Sequence, residues 1–336
     1  MSLIRLGING FGRIGRLVLR AILERAEKDL KVVAINDLGN LEQNLHLLKY
    51  DSIHGKLKKN FQIENNNLLI DQDSVAFYNF RDPKDIPWQE SKVDIVMECT
   101  GIFTDAEMAK NHLNNEVKKV LISAPSNNAD LTVVYGVNHH LLNDKHSIIS
   151  NASCTTNCLA PVAKIINDNF GIDAGFMTTV HSFTSDQMIL DGYHKDPRRA
   201  RSASVSMIPT STGAAKAVGL VLPELLGKLD GTAVRIPTPN VSMVDFTFQT
   251  KNKITKKNIN ESIKEASEQS MFGVIDYNEA PLVSIDFNHN PYSSIFDSTQ
   301  TQVIGENFGR VLSWYDNEWG FSNRMLDIAK TIGNFL

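Results

Sequence analysis

The sequence predicts an α/β protein of two domains, the first built on a parallel sheet and the second on a mostly antiparallel one. In the first half, short β-rich runs alternate with helical segments, a pattern typical of parallel sheets. In the second half, strand-like runs follow one another without regularly interleaved helices, which favours an α+β domain. A length of 336 residues suffices for two domains. We expect residues 1–152, completed by a C-terminal helix over 318–336, to form the first domain, and residues 153–317 to form the second.

The N-terminal elements carry a glycine-rich turn. A strand over residues 3–9 precedes Gly10, Gly12 and Gly15, helical spacing follows over residues 16–23, and a strand over residues 31–37 ends in Asp37. Together they make the βαβ unit of a Rossmann-type dinucleotide-binding domain. Gly10 permits the tight turn, Gly12 lets a diphosphate approach the backbone, and Gly15 lets the helix pack closely, so that the helix N-terminus binds the diphosphate. Asp37 is placed to bind ribose hydroxyls and to repel a 2′-phosphate, which predicts NAD rather than NADP.

Two further strands extend this sheet. The β-rich runs over residues 93–99 and 117–123 end next to Thr100 and at Ser123. Ligands in open α/β sheets bind beyond the carboxyl ends of the strands, so we expect Arg81, Thr100 and Ser123 to contact the cofactor. For Arg81 alone, a solvated surface charge is an alternative interpretation.

A cysteine among hydroxyl and amide residues opens the second half. Cys154 lies within residues 150–158, and an apolar run over 159–166 predicts a helix directly after it. The free N–H groups at a helix N-terminus favour a thiolate over a thiol, and a thiolate attacks carbonyl carbon. The segment therefore predicts covalent catalysis on an aldehyde or acyl group. A buried structural cysteine is the alternative.

The rest of the second half supplies strands and candidate anion sites. The polar stretch from Ser182 to Ser206 is long enough to be functional and, in our interpretation, too long to be ordered without a neighbouring subunit. Residues 210–218 form a hydroxyl-rich entry to a helix, which suits an anion. Strands are expected over 176–180, 233–237 and 241–248, and a closing helix over 326–332.

Composition narrows the setting. Hydrophobic residues make up 42% and charged residues 21%, and the net charge of −4 indicates no basic surface for nucleic acid. Three cysteines cannot form a disulfide framework, and no apolar run is long enough to span a membrane. We therefore expect a cytoplasmic protein that has no membrane partner and no nucleic acid as its primary partner. We also expect no metal, because no zinc-ligand spacing accompanies its histidines.

Four segments together resemble the glyceraldehyde-3-phosphate dehydrogenase family. They are GINGFGRIG at 7–15, ASCTTNCLAP at 152–161, PTPNVS at 237–242 and WYDNEWG at 314–320, and the match runs in order along essentially the whole chain. The resemblance implies a homotetrameric glycolytic enzyme. It would oxidise glyceraldehyde 3-phosphate with NAD and inorganic phosphate to 1,3-bisphosphoglycerate.

The resemblance also implies roles for individual residues. Cys154 matches the family nucleophile, and His181, within TVHSFT at 179–184, matches the histidine that activates it. Residues matching those that hold the substrate phosphate and the attacking phosphate are Ser153, Thr155, Thr184, Arg199, Thr212, Gly213 and Arg235. Residues matching cofactor contacts are Arg13, Ile14, Asp37, Arg81, Ser123 and Asn317, the last of which would fix the nicotinamide carboxamide. Cys158 is expected to be a packing residue.

One departure and three rival functions stay open. Many NAD-specific members carry proline where this chain has Tyr193, which leaves the strictness for NAD open. An erythrose-4-phosphate dehydrogenase would share the fold and nucleophile but hydrolyse its thioester. An aspartate-semialdehyde-type dehydrogenase is disfavoured because its amino-acid-binding pattern is not evident. A redox sensor or RNA-binding protein is the non-enzymatic alternative, and the net charge argues against a primary nucleic-acid role.

Overall fold

The structure, a computed structural model, describes residues 3–113 and 116–336. The chain divides into two compact units. Unit 1 comprises the residues up to Val133 together with His139–Ala152 and Ser322–Leu336. Unit 2 comprises Val134–Asn138 and Ser153–Phe321.

In the described part of unit 1, nine strands form one sheet and a short hairpin lies apart from it. The strands are β1 (Ile4–Asn9), β2 (Leu30–Asn36), β3 (Tyr50–Asp51), β4 (Gly55–Lys56), β5 (Phe61–Glu64), β6 (Asn67–Ile70), β7 (Asp73–Tyr78), β8 (Ile95–Glu98), β9 (Lys119–Ile122), β10 (Leu131–Thr132) and β11 (Ile148–Ser150). The sheet order is β10-β11-β9-β8-β1-β2-β7-β6-β5, and β3 and β4 form the hairpin. The pairings from β10 to β7 are parallel, whereas β5, β6 and β7 pair antiparallel.

The order of these strands indicates where the sheet of unit 1 can bind a ligand. From β1 the sheet continues through β2 to β7 on one side and through β8 to β9 on the other. The carboxyl ends of β1 and β8 therefore flank the point where the strand order reverses, which is where such sheets bind ligands. The helices are α1 (Arg13–Glu24), α2 (Leu41–Lys49) and α3 (Ala106–Ala109). Helix α1 buries Leu17, Val18 and Ala21 on one face, as its apolar spacing predicts.

Unit 2 is built on a mostly antiparallel sheet. Its strands are β12 (Ile172–Ser182), β13 (Ile208–Ser211), β14 (Leu229–Ile236), β15 (Ser242–Thr250), β16 (Ile275–Asn278), β17 (Ser294–Asp297), β18 (Gln302–Ile304) and β19 (Phe308–Tyr315). The order is β13-β14-β12-β15-β19-β17-β16, with β18 paired to β19. Only β12 with β14 and β16 with β17 pair in parallel among the described strands of this unit. Its helices are α4 (Cys154–Phe170), α5 (Ala214–Val221) and α6 (Lys256–Glu268).

The last helix, α7 (Trp319–Gly333), carries most of its length in unit 1. There Asp327 pairs with Arg25 at 3.1 Å, and Lys330 pairs with Glu27 at 2.8 Å. No helix in the described ranges is long and apolar enough to cross a membrane.

The predicted fold class is confirmed: a Rossmann-like parallel sheet and a mostly antiparallel sheet are both present. Several elements differ in extent from the prediction. Helix α1 begins at Arg13 rather than at residue 16, and helix α6 and strand β19 were not predicted. The antiparallel strands β5 and β6 were also not predicted.

The long segment between β12 and β13 folds back on itself. Its backbone closes through Gly192 N–H to Ala200 O at 2.9 Å and Ala203 N–H to Met188 O at 2.9 Å. The expectation that a second subunit orders this segment stays a prediction. The segment is also less polar on its surface than its composition suggests. Its exposed large apolar side chains are Ile189, Leu190, Tyr193, Val205 and Met207, between 75% and 91% accessible.

Candidate active site

The glycine turn of unit 1 has the conformation that dinucleotide binding requires. Gly10 has φ of +87°, and a Cβ at this position would lie 2.7 Å from the backbone nitrogen of Thr100. Both the left-handed backbone and the close approach therefore exclude a side chain. A Cβ on Gly12, by contrast, would meet nothing within 4 Å among the described residues. The space above Gly12 is open to an approaching diphosphate.

The start of α1 is suited to an anion. Gly12 is its N-cap and supplies no side-chain acceptor, so the first N–H groups of the helix lack a side-chain cap. Asp37 follows β2 and accepts a hydrogen bond from Phe11 N–H at 2.8 Å at one carboxylate oxygen. Its other oxygen accepts from Gly39 N–H at 2.8 Å. Asp37 lies 22 residues after Gly15 in the sequence, but in the structure it contacts the glycine turn directly.

The other predicted cofactor residues of unit 1 lie at the same edge of the sheet. Thr100 follows β8 and Ser123 follows β9, and the N–H of Ser123 donates to Glu98 O at 3.0 Å. Arg81 is exposed beyond the end of β7, and Ile14 is half-buried at the start of α1. Arg13, expected to contact the cofactor, is engaged within the protein: its guanidinium pairs with the buried carboxylate of Asp51 at 2.5 Å.

In unit 2, Cys154 is the first residue of α4, as the sequence predicts. Ser153 is the N-cap, and its hydroxyl accepts a hydrogen bond from Thr156 N–H at 3.0 Å. The Sγ of Cys154 lies 3.6 Å from Nε2 of His181, which stands near the end of β12. The nucleophile and base proposed from separate motifs are therefore brought into contact.

The partners of His181 determine where its proton sits. Its Nδ1 lies 2.7 Å from the carbonyl oxygen of Ser182, which can only accept. Nη1 of Arg235, which can only donate, also lies 3.0 Å from Nδ1. Ser182 O is the closer of the two partners and favours a proton on Nδ1, which turns the lone pair of Nε2 toward the thiol. The register of β12 and β14 sets Arg235 beside His181, and the guanidinium donates to Ser182 O at 3.1 Å and to the Thr184 hydroxyl at 3.4 Å.

Burial dominates the electrostatics of this pair. It raises the pKa of the Cys154 thiol, although the Arg235 guanidinium and the donors at the start of α4 act to lower that pKa. Burial also lowers the pKa of His181 to about 3, and the positive charge of Arg235 acts in the same direction. The prediction that the helix N-terminus favours a thiolate is thus outweighed by burial. The resting pair is a thiol facing a neutral imidazole.

Two helix N-termini meet near the nucleophile. The hydroxyl of Thr156 lies 2.8 Å from Ser153 Oγ and donates to Ala214 O at 3.2 Å, which joins the start of α4 to the start of α5. Gly213 is the N-cap of α5, and the hydroxyl of Thr212 accepts from Ala214 N–H at 3.2 Å. Backbone N–H groups from both helices can therefore bind an anion.

Arg199 is held by groups that sequence reasoning missed. Its Nη1 donates to Asp186 at 2.6 Å and its Nε donates to the Thr210 hydroxyl at 3.0 Å. His194 lies 3.2 Å from the other oxygen of Asp186. These partners lie 5 to 13 positions from Arg199 without helical or strand periodicity, so no local signal identifies them. The folding of this segment against β13, which carries Thr210, brings them to the arginine.

Asn317 is oriented by two serines. The hydroxyls of Ser182 and Ser242 both donate to its side-chain oxygen, at 2.8 and 3.0 Å. Its NH₂ group is therefore the end left to donate, which is the chemistry needed to bind a carboxamide oxygen.

Thr155 is placed differently from a direct phosphate contact. Its hydroxyl lies 2.8 Å from the hydroxyl of Tyr315, which also lies 2.9 Å from that of Thr179. Thr155 is only 4% exposed, so its side chain packs beneath the site and its backbone N–H is the group left to serve an anion. Cys158 is fully buried, as expected for a packing residue, and burial raises its pKa to about 12. Within residues 3–113 and 116–336, no cluster of three or more His, Cys, Asp or Glu side chains could hold a metal ion.

Comparison with known proteins covers both units. A family model for the NAD binding domain of glyceraldehyde 3-phosphate dehydrogenase matches residues 4–106, and a model for its C-terminal domain matches residues 153–317. The glyceraldehyde-3-phosphate dehydrogenase of Xanthobacter flavus is 56% identical over 330 residues, 98% of each chain. That of Cereibacter sphaeroides is 54% identical over 333 residues, 99% of each chain. That of Zymomonas mobilis subsp. mobilis is 54% identical over 335 residues, 99% of each chain.

These matches confirm the resemblance drawn from four short segments and the prediction of an NAD-binding domain. They extend over the glycine turn, over the Cys154–His181 pair and over nearly all of the sequence between and beyond them. The chain therefore belongs to the glyceraldehyde-3-phosphate dehydrogenase family.

Proposed function

We propose that this chain catalyses the phosphorylating oxidation of glyceraldehyde 3-phosphate to 1,3-bisphosphoglycerate with NAD and inorganic phosphate. The observation that carries the proposal is the contact of 3.6 Å between Nε2 of His181 and the Sγ of Cys154 at the start of α4. A thiol beside a base at a helix N-terminus is equipped to attack an aldehyde and to hold the acyl group that results.

The first step moves the thiol proton. As Sγ adds to the aldehyde carbon, Nε2 of His181 accepts the proton, and the imidazolium charge is stabilised by Ser182 O at Nδ1. The oxygen of the thiohemiacetal develops negative charge, and backbone N–H groups at the start of α4 are the donors for it. His181 then returns its proton to this oxygen, which gives the neutral thiohemiacetal, and takes the proton back as the hydride leaves, so that a thioester remains on Cys154.

The residues of unit 1 fit NAD on three counts. The space above Gly12 is open, the start of α1 has no side-chain cap, and Asp37 stands beside the turn. When bound, NAD supplies the acceptor for the hydride. Asp37 is proposed to bind its ribose hydroxyls, and the N–H groups of α1 its diphosphate. Other proposed contacts are Arg13, Ile14, Arg81, Thr100, Ser123 and Asn317.

Two groups of donors suit the two phosphates of the reaction. Arg235 and the hydroxyl of Thr184 are 3.4 Å apart and form the first group. Arg199, with Thr212 and Gly213 at the start of α5, forms the second, which we propose for inorganic phosphate. Guanidinium groups and helix N–H groups both direct several hydrogen bonds at a tetrahedral anion. Ser153 and the backbone of Thr155 are proposed to complete the phosphate contacts.

The two domains are proposed to divide this work. Residues 1–152 with 318–336 would bind NAD, and residues 153–317 would carry the nucleophile, the base and the phosphate donors. The three free cysteines are consistent with a reducing compartment, and we propose the cytoplasm.

We further propose a homotetramer. The support is the exposed apolar side chains of the segment between β12 and β13, which include Ile189, Leu190 and Tyr193. Apolar patches of this kind mark contact surfaces in soluble proteins. Sedimentation velocity at micromolar concentration is expected to give a species of four chains, and a stable monomer with full activity would contradict the assembly.

The experiment that tests the function measures NADH formation at 340 nm with glyceraldehyde 3-phosphate, with and without inorganic phosphate. We expect sustained turnover only with phosphate. Turnover that continues without phosphate and prefers erythrose 4-phosphate would instead indicate the hydrolysing relative. Absence of NADH formation with both aldehydes, in a chain that still alkylates at Cys154, would contradict the proposal and leave the aspartate-semialdehyde-type and non-enzymatic alternatives.

A further inference from the structure

A buried polar network lies beside the glycine turn in unit 1, away from the nucleophile. Glu98, the last residue of β8, is 1% exposed, and both of its carboxylate oxygens accept hydrogen bonds. One oxygen accepts from the backbone N–H of Thr100 at 2.8 Å and from its hydroxyl. The other accepts from the side-chain amide of Asn9 at 2.7 Å and faces Nε2 of His112 at 2.9 Å.

A tryptophan fixes the proton of the histidine. The indole N–H of Trp88 points to Nδ1 of His112 at 3.1 Å, and both side chains are fully buried. Because an indole N–H only donates, Nδ1 must accept, and the proton of His112 sits on Nε2, from which it donates to Glu98. The carboxylate therefore faces four donors, and its neighbours cannot change their roles without leaving a buried group unpaired.

The network reaches the turn from two sides. Asn9 immediately precedes Gly10, and its side-chain oxygen accepts from Asn36 at 2.8 Å, while Asn36 O accepts from Gly10 N–H at 2.8 Å. On the other side, the backbone nitrogen of Thr100 lies where a Cβ of Gly10 would be only 2.7 Å away. The residues that flank Gly10 on both sides are thus held by the same carboxylate.

We propose that Glu98 is a positioning residue for the dinucleotide: through Asn9 and Thr100 it holds the glycine turn in its binding conformation before the ligand arrives. Trp88 and His112 act through Glu98, because they fix the direction of one of its four hydrogen bonds. The inference rests on the proposed binding of NAD at this turn. It assigns Glu98, His112 and Trp88 a role in affinity rather than in the chemical step.

The test is the variant Glu98→Gln, which keeps the shape of the side chain but turns an NH₂ group toward groups that donate. We expect the dissociation constant for NAD, measured by isothermal titration calorimetry, to rise about tenfold, which corresponds to about 1.4 kcal/mol. The KM for NAD should rise by a similar factor, whereas kcat at saturating NAD should change less than about twofold. That split separates positioning of the turn from general damage.

The chain offers a matched control at the opposite ends of the same two strands. Asp94, just before β8, accepts from the backbone N–H of Arg5 in β1 at 2.8 Å and from its guanidinium. Asp94→Asn also loses hydrogen bonds between β1 and β8, but far from the turn. It should lower the melting temperature without raising the dissociation constant for NAD.

A second pair of variants keeps the inference testable if Glu98→Gln folds poorly. His112→Gln keeps an N–H donor for Glu98, and His112→Leu does not. We expect His112→Gln to bind NAD within about threefold of the unmodified chain and His112→Leu to bind about tenfold more weakly.

Three results would overturn the positioning role: Glu98→Gln binding NAD as tightly as the unmodified chain, Asp94→Asn weakening NAD as much as Glu98→Gln, or the two His112 variants binding alike. If the unmodified chain itself does not bind NAD, it is the proposed function that fails instead.

Discussion

Replacing His181 with asparagine isolates the base from the nucleophile. Asparagine retains an N–H donor but has no group that reaches Sγ from the position of Nε2, 3.6 Å away in the native chain. No neighbour can take over: Tyr315 is buried and its pKa is raised well above its usual range by that burial, so its hydroxyl stays protonated. The thiolate must then form by ionisation of the thiol to solvent.

The size of the effect follows from the ionisation of the thiol. An ordinary thiol with a pKa of about 8.5 is roughly 3% thiolate at pH 7, and burial raises the pKa of Cys154 further. Ionisation alone therefore costs at least about 30-fold, and loss of a positioned base costs about 10² to 10⁴ in total. We expect His181→Asn to lower kcat/KM for glyceraldehyde 3-phosphate within that range at pH 7.

The pH dependence provides a second readout. Because the variant depends on free thiolate, its rate should rise close to tenfold per pH unit between pH 7 and 8.5, and the deficit should shrink. Initial NADH formation at 340 nm and the rate of alkylation by iodoacetamide measure the two steps. His46→Asn, an exposed histidine on α2, is the matched control and should be unaffected. A His181→Asn enzyme within tenfold of native activity at pH 7 would refute the assignment of the base.

Three other predictions concern unit 1. Asp37→Ala should raise the KM for NAD and lower the NAD/NADP ratio of kcat/KM, because the carboxylate that repels a 2′-phosphate is gone; an unchanged ratio would exclude Asp37 as the selector. Although burial acts to raise the pKa of Asp51, backbone N–H donors and its ion pair lower it to about 2, so its stabilisation is present above pH 4 and is lost as the pH falls toward 2. Urea unfolding should accordingly show a gap of about 2 kcal/mol between the native chain and Asp51→Asn that is constant from pH 5 to 8 and closes below pH 4. Gly15→Ala should cost about 1–3 kcal/mol, since its methyl would overlap Gly10 O, whereas Gly12→Ala should keep the native melting temperature and weaken NAD; equal melting temperatures for both variants would contradict this.

The first unit was predictable where its signals are local. The strand, turn, helix and acid between Ile4 and Asp37 are contiguous, and Gly10 and Gly15 each stand where a Cβ would collide with backbone atoms. The start of α1 was missed by three residues because Gly12 caps it without a side-chain acceptor, so the usual hydroxyl or amide signal is absent. In the second unit, β19 was missed although it pairs with β15 over eight residues, because strand pairing at long range leaves no local pattern.

The candidate site divides in the same way. Cys154 and His181 stand in distinctive short segments, and the structure brings them together. The hydroxyls that orient Asn317 lie 75 and 135 residues away from it, and only the sheet makes them neighbours. For Cys154, the helix start was predicted correctly, but the protonation state of the thiol was not. Burial raises the pKa of the Cys154 thiol, and that burial depends on how the whole unit folds.

The catalytic geometry depends on the register in which β12 pairs with β14. His181 stands opposite Arg235 in that register, and side chains alternate between the two faces of a strand. Sliding β14 by one position would leave most backbone hydrogen bonds re-formed, yet would swing Arg235 to the other face and take its charge away from Ser182 O and Thr184. One residue inserted ahead of Leu229 would therefore leave a folded, paired sheet without catalytic activity. An activity assay would detect this shift in strand register, whereas a measurement of stability would show little change.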